Sequence, residues 1–368
     1  MSEREPEDIL NSFLKANKDD HYNFEEEENY KVSSGSLQFD LQLGGGFGPG
    51  LHRFTGMNEG GKTSEALQVM KNFLETIPNS RGFYIKAEGR LSPEMKKRSG
   101  VEFVSSHDEW EDGKCFVFES NIYESVAEII SQLVDNNEKK TKFCFVLDSV
   151  DGLILKNDMA KNYDDSSKVA GGAVVAATFM KKMSIKLAKR GHMAIFISQV
   201  RSEMRDQYSK EPPRQSVSTG GYALQHYANS VIQFQPRYKS DLILQNPSIK
   251  TIDEKKNPII GHFAKVLICK SPNEKSNVSL TYPIRYNRSG GNSIWIEKEI
   301  VDLLYAWEFV EKKGAWIKPT EDFKELLEEN NLDFPEQIQG DNNLFKTLDQ
   351  DEDLCKFLIN YFGEQIAE

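Results

Sequence analysis

The stretch "GMNEGGKTS", Gly56 to Ser64, decides how the rest of the chain is read. Gly56, Gly61, Lys62 and Thr63 satisfy the G-x-x-x-x-G-K-[ST] spacing of a phosphate-cradling loop, in which backbone amides and a lysine hold phosphate oxygens and the hydroxyl serves a metal. Chance supplies that template in roughly one or two chains per hundred of this size, so its surroundings carry the weight. Upstream, "VSSGSLQFDLQLGGGFGPGLHRFTG" alternates glycines with short apolar strands that run into the loop. Downstream, "KTSEALQVMKNFLETI" puts Ala66, Leu67, Met70, Phe73, Leu74 and Ile77 at helical spacing, and Pro78 ends the helix. A loop between strand and helix presents amides at a helix N-terminus, where phosphate is favoured.

The strand-then-helix pattern repeats along the chain. "RGFYIKAE" precedes "SPEMKKRSG", "GKCFVFES" precedes "YESVAEIISQLVDNN", and "KFCFVLDS" precedes "ATFMKKMSIKLAKRG", which leads to "HMAIFISQV". Near-continuous apolar strands between amphipathic helices predict a parallel sheet covered on both faces. "ANSVIQFQP", "FAKVLICKS" and "SNVSLTYPIRYNRSGG" read as an antiparallel extension, and "WEFVEKKGAWIKP" as the start of a small helix-and-hairpin module. The opening segment "PEDILNSFLKA" is amphipathic, with Ile9, Leu10, Phe13 and Leu14 on one helical face. It is either a docking arm for another subunit or a cap on its own core.

At 368 residues the chain has room for one large core and an appended small domain, because single cores stop growing at ~250–300 residues. No apolar run approaches the ~18 residues of a membrane span, and the acidic start argues against a targeting peptide. The expectation is a soluble cytoplasmic protein without a membrane partner. Cys115, Cys144, Cys269 and Cys355 lack C-x-x-C pairing and read as buried reduced thiols. The net charge of −11 is unevenly spread, with −7 over residues 1–30, +7 over 31–320 and −11 over 321–368. A mildly basic body between acidic ends can meet a polyanion while its ends compete for the same surface; equally, acidic ends can serve solubility alone.

The strand within "KFCFVLDS" ends in Asp148, 86 residues beyond Lys62. A carboxylate at a strand end beside a phosphate loop suits magnesium, together with the Thr63 hydroxyl; the bland alternative is a turn cap. Glu88 ends "YIKAE", where it could deprotonate or orient an attacking water or make a surface ion pair. Gln199 ends "FISQ" and is followed by about twenty residues without hydrophobic periodicity, a length that is functional or disordered. Arg201, Arg205, Tyr208, Lys210 and Arg214 in that segment suit phosphate contact and base stacking, diluted by Glu203, Asp206 and Glu211. "LKNDMAKNYDDSSKVAGGA", with Lys156, Lys161 and Lys168, reads as a second loop on a neighbouring strand end.

Seven segments in order resemble signatures of the RecA recombinase family: "SSGSLQFDLQLGGGFGPGLHRFTG", "GMNEGGKTS", "YIKAEGRLSPE", "FVLDSVDGL", "FISQVRS", "STGGYALQHYANSVIQF" and "KKGAWIKP". The resemblance covers residues of about 30 to 318. It implies an α/β fold: a RecA-like P-loop ATPase core whose mostly parallel central sheet is flanked by helices, with an antiparallel extension, a small N-terminal helical arm and a small α-rich C-terminal module. The expected division is an arm and acidic linker at 1–30, the core at 31–300, and a module with an acidic tail at 301–368.

The resemblance also implies a DNA-dependent ATPase using ATP and Mg2+. Such a protein would form helical filaments on single-stranded DNA, exchange strands with a homologous duplex, and meet single-strand-binding and mediator proteins. Glu88 falls on the family's catalytic glutamate, Gln199 on its γ-phosphate-sensing glutamine, and Lys62 on its phosphate-loop lysine. Gly56, Met57, Asn58, Glu59, Gly60, Gly61, Lys62, Thr63 and Ser64 line up with the nucleotide loop, and Thr63 and Asp148 with the magnesium ligands. Loops 156–172 and 200–219 match the two DNA-binding loops, which carries Lys168, Gly171, Gly172, Arg201, Arg205, Tyr208, Lys210 and Arg214 into that role. Lys270 matches one of two lysines that reach a neighbour's nucleotide; the other is replaced by an apolar residue near Ile268. Met95 stands where an adenine-stacking tyrosine is usual, Lys86 where an acidic residue is common, and Ser198 where asparagine is frequent. The divergence and the short acidic C-terminus are similar to phage recombinases typified by UvsX. Two other readings stay open, a nucleotide-gated architectural filament with little turnover and a RecA-fold hexameric helicase.

Overall fold

Apolar runs long enough to be buried on two faces must pair their backbone groups with one another, and here they do so in one large sheet. The computed structural model describes residues 5–18, 21–23, 28–89, 91–159, 170–200, 221–249, 251–273 and 275–367, with the side chains of 170–173, 221–222 and 367 left out. Lys168, Arg201, Arg205, Tyr208, Lys210 and Arg214 therefore lie outside the described residues.

The strands are β1 (Gly50–Gly56), β2 (Ser80–Lys86), β3 (Phe103–Val104), β4 (Cys115–Glu119), β5 (Lys142–Asp148), β6 (Met193–Gln199), β7 (Ser230–Phe234), β8 (Leu242–Leu244), β9 (Ile259–Lys270), β10 (Val278–Arg285), β11 (Val310–Lys313), β12 (Trp316–Pro319) and β13 (Ile338–Gln339). The helices are α1 (Pro6–Ala16), α2 (Leu37–Leu43), α3 (Lys62–Thr76), α4 (Pro93–Ser99), α5 (Tyr123–Asp135), α6 (Lys156–Met159), α7 (Ala170–Lys189), α8 (Gly221–Tyr227), α9 (Ile296–Ala306), α10 (Glu321–Glu329), α11 (Asp341–Gln350) and α12 (Glu352–Ala367).

The main sheet has ten strands in the order β10-β9-β7-β1-β6-β5-β2-β4-β3, with β8 on β9. All pairings from β7 to β3 are parallel, and β9 runs antiparallel to β7, β8 and β10. Parity divides the core. Phe54, Val146 and Ile195 face the side covered by Leu67, Met70 and Phe73 of α3, whereas Phe145, Phe196 and Leu147 face Val126, Ile130 and Met183 of α5 and α7. A third apolar cluster joins Ile300, Leu304, Ile317, Phe323, Leu344 and Leu358, and Leu37 of α2 plugs into it from the core. A three-stranded antiparallel sheet β11-β12-β13 edges that module. Among the described residues no helix is long and apolar enough to cross a membrane.

Four sequence expectations change. The segment before the phosphate loop is not all strand, because Ser36 caps α2 by accepting from Phe39 N and the helix ends at left-handed Gly44, leaving β1 as its single named strand. β7 is parallel to β1, so the antiparallel extension begins one strand later, at β9. Gly171 and Gly172, expected in a loop, lie in the first turn of α7, which starts at Ala170. The C-terminal module is α-rich as expected, but the acidic stretch after residue 320 is no tail on it: it forms three helices whose Leu327, Leu348, Leu354 and Phe362 are buried, with the carboxylates on their outer faces. Local charge hid an amphipathic period there. Cys115 and Cys144 are buried free thiols; Cys269 and Cys355 are only partly covered.

Helix α1 forms as expected, with Pro6 at its first position and acidic residues in its first turn. On its apolar side Ile9, Leu10 and Phe13 are 55%, 58% and 61% exposed, and Leu14 is half-buried.

Candidate functional site

Parallel strands end in register, and that alignment assembles the site. Gly56 at the end of β1 lies opposite Gln199 of β6 and Phe234 of β7, while Lys86 of β2 lies opposite both Asp148 of β5 and Glu119 of β4. The phosphate loop, Asp148, Gln199 and the segment carrying Glu88 thus share the carboxyl edge of the sheet, where open α/β folds bind ligands.

The loop itself is shaped by close approach. Gly56 has φ of 142°, and a Cβ there would sit 2.2 Å from the Phe234 carbonyl oxygen. Met57, Asn58, Glu59 and Gly61 are exposed, Gly60 is half-buried, and Gly61 caps α3. The first intrahelical bond of α3 runs from Glu65 N to Gly61 O at 2.9 Å, so the amides of Lys62, Thr63 and Ser64 have no intrahelical acceptor. Those amides and the helix dipole favour an anion. Lys62 is buried and folds back over the loop, its Nζ donating to Gly56 O at 3.0 Å and Met57 O at 2.6 Å.

Thr63 Oγ1 donates to Asp148 Oδ2 at 2.8 Å, and Tyr84 Oη donates to the same oxygen at 2.7 Å. A buried carboxylate and a hydroxyl at hydrogen-bond distance, beside an anion-favouring loop, are hard oxygen donors of the kind magnesium takes with phosphates. Burial and the adjacent Asp148 push the Tyr84 phenol well above its ordinary range, which keeps it a donor. Glu88 is fixed from two sides: its amide and that of Ala87 donate to the Asp148 carbonyl at 3.2 and 3.0 Å, and Ser149 Oγ donates to its Oε1. The intervening Asp148–Ser149 peptide is cis. Gln199 N donates to Asp151 Oδ2 at 2.6 Å, and Val200 N to Gly56 O at 3.2 Å, which ties the strand leading toward residue 200 to the loop.

Met95 of α4 is half-buried against the α3 side of the core. Ser198 receives Arg53 Nε at 3.1 Å within the sheet. Lys270 is not brought to this site. It pairs with Val231 near the start of β7, whereas Val266 is the residue level with Phe234 at the carboxyl edge; four residues of strand span about 13 Å. Its Nζ donates to His226 O at 2.8 Å, and burial pulls the ammonium below its ordinary range.

Sequence reasoning missed Tyr84, Ser149 and Asp151. Tyr84 was findable, since a strand residue two before Lys86 and four before Glu88 shares their face. Ser149 and Asp151 follow the Asp148 strand and carry no periodic signal. Also unread was a buried acidic group behind the loop: Glu65 of α3 accepts from Tyr282 Oη at 2.9 Å, Glu299 of α9 accepts from Ser36 Oγ and Leu37 N, and Asp40 accepts from Ser33 and Ser34. Burial raises Glu65 to about 8, Glu299 to about 7 and Asp40 to about 6.

The family model described as the RecA N-terminal domain matches residues 15–268. Protein RecA of Mycoplasma mycoides subsp. mycoides is 27% identical over 288 residues, covering 77% of this chain and 72% of that one. Protein RecA of Rickettsia canadensis is 26% identical over 287 residues, covering 77% and 73%. Protein RecA of Synechocystis sp. is 25% identical over 341 residues, covering 91% and 82%.

Proposed function

The chain belongs to the RecA family, and from that premise we propose that it is an ATP-dependent recombinase that forms filaments on single-stranded DNA and pairs that strand with a homologous duplex. The observation that carries the reading is the Thr63–Asp148 contact at 2.8 Å beside the phosphate loop, with Glu88 and Gln199 at the same sheet edge. Identities of 25–27% to the RecA relatives fit a divergent member, and the phage-type assignment rests on the sequence resemblance alone.

In this reading Lys62 exchanges its two carbonyl partners for phosphate oxygens, and the amides of residues 61–64 hold the remaining phosphate charge. Thr63 and Asp148 hold magnesium, which when bound neutralises charge on the transferring phosphate. Glu88 accepts a proton from the attacking water at its carboxylate, oriented by Ser149. Gln199, one residue from the tie between Val200 and Gly56, links phosphate occupancy to the DNA-binding segment 200–219. Lys270 sits away from its own chain's loop, which supports a role on a second copy's nucleotide. The exposed apolar side of α1 supports an arm at 1–30 that docks on the next protomer of a core at 31–300, with the module at 301–368 modulating duplex access. Single-strand-binding and mediator proteins are expected partners.

A second reading is a nucleotide-gated filament with little turnover. Register puts Lys86 opposite Asp148, with its ammonium paired at 2.8 Å to Glu119 Oε1 on the other neighbouring strand, so a basic residue stands in the strand-end position next to Asp148. ATP turnover with and without single-stranded DNA, together with imaging, separates the two. Stimulation by DNA, lost in Glu88→Gln with nucleotide binding retained, is expected for the enzyme. No stimulation, with unaltered turnover in Glu88→Gln, eliminates it.

A further inference from the structure

We propose that Arg98 of α4 is a nucleotide-positioning residue of this site, its guanidinium holding the α-phosphate end of the bound nucleoside triphosphate. The inference rests on the nucleotide reading above and extends it to a residue outside the loop motif.

Two neighbouring hydroxyls of α3 point to different sides. Thr63 faces Asp148 on β5, which marks the metal and terminal-phosphate side. Ser64, one residue and about 100° further round the helix, faces α4 instead, where Arg98 Nη2 donates to its Oγ at 3.2 Å. A nucleotide anchored by its terminal phosphates at Lys62 and Thr63 has its α-phosphate and nucleoside leading away from Asp148, toward Ser64 and α4. Arg98 then brings a positive charge and a planar fork of donors to that end, a geometry suited to phosphate.

The guanidinium is available for such a ligand. No carboxylate pairs with Arg98 among the described residues, and a serine hydroxyl is a neutral, exchangeable partner. Its neighbour Lys96 is occupied otherwise, 5.5 Å over the Phe103 ring. The backbone beneath Arg98 is held: Gly290 N donates to Lys97 O at 3.2 Å and Gly291 N to Arg98 O at 2.9 Å. Gly100 ends α4 so close to that loop that a Cβ would lie 2.5 Å from the Gly290 carbonyl carbon. The same loop carries Arg288, bound through two nitrogens to Glu297 and through one to Asp349 of α11. Arg98 is thus placed by a loop anchored in the C-terminal module, and its side chain alone is left to respond to ligand.

The test is equilibrium binding of ATP, ADP and GTP with magnesium by calorimetry to the full chain, its Arg98→Ala and Arg98→Lys variants, and Lys62→Ala. A charge-assisted hydrogen bond at an exposed site corresponds to about tenfold in affinity. Arg98→Ala is therefore expected to weaken ATP, ADP and GTP alike by about tenfold, the loss shrinking as salt rises, and Arg98→Lys to recover part of it. Binding by Arg98→Ala within twofold of the parent, while Lys62→Ala loses ATP, overturns the inference and leaves the nucleotide site standing. A change in the ATP-to-GTP ratio without loss of both overturns the α-phosphate contact in favour of a base contact. Absence of ATP binding to the unaltered chain overturns the site reading and this inference together.

Discussion

Replacing Glu65 by glutamine should flatten the dependence of stability on pH. Glu65 of α3 is buried; one oxygen accepts from Tyr282 of β10 and the other, buried Oε1, has no hydrogen-bond partner among the described residues. Burial, with the nearby Asp40 and Glu299 carboxylates adding to it, raises its pKa from 4.5 to about 8, although the Tyr282 bond pulls the other way. The unfolded chain gives up this proton near 4.5 and the folded chain only near 8, so in between the folded state binds more protons. Its contribution is fully present below the unfolded value and is lost as pH rises through the folded one. At 1.36 kcal/mol per unit, Glu65 alone removes about 2–3 kcal/mol of stability between pH 6 and pH 9. Urea denaturation of the parent and of Glu65→Gln at those two pH values measures it. The variant should show a pH difference smaller by about that amount, with Asp40 and Glu299 supplying what remains. An identical pH difference in both proteins would refute a protonated Glu65 in the fold.

Other substitutions probe the rest of the site and the module. Gly56→Ala places a Cβ 2.2 Å from the Phe234 carbonyl oxygen at a φ of 142° and should cost more than about 3 kcal/mol in a denaturation experiment. Tyr84→Phe removes one donor from Asp148 Oδ2 and should cost about 1 kcal/mol by the same measurement. Because the acidic C-terminal stretch is folded, removing it would strip the module's core. Glu325→Gln, Glu328→Gln and Glu329→Gln together, at exposed positions of α10, should instead raise duplex DNA affinity severalfold at low salt. That gain should fade as the Debye length shortens, and unchanged affinity across a salt series would count against restraint by these charges.

Local information was enough for the loop, the helix that follows it and the strands around it. The phosphate template, the helical period of Ala66 to Phe73 and the apolar runs ending in Lys86, Asp148 and Gln199 each lie within a few turns of chain, so spacing alone exposes them. Signals of this kind weakened where two patterns overlapped. Acidic surface residues masked the buried leucines of α10 to α12, and glycines on either side of α2 read as strand punctuation although Ser36 and Gly44 were helix caps. Residues 201 to 220 stayed legible only as composition.

What the chain order could not express is which strand ends become neighbours. Gly56 meets Gln199, and Lys86 meets Asp148, only because crossover helices insert β6 and β5 between β1 and β2. That strand order, through register, is what lets Tyr84 and Thr63 converge on one carboxylate oxygen and Ser149 reach Glu88. It also sends Lys270 to the far end of the sheet and lets a loop anchored in the C-terminal module fix the backbone of Arg98. Spacing along a chain encodes faces and periods; contacts between distant segments depend on the free energy of packing them together, which the folded core alone resolves.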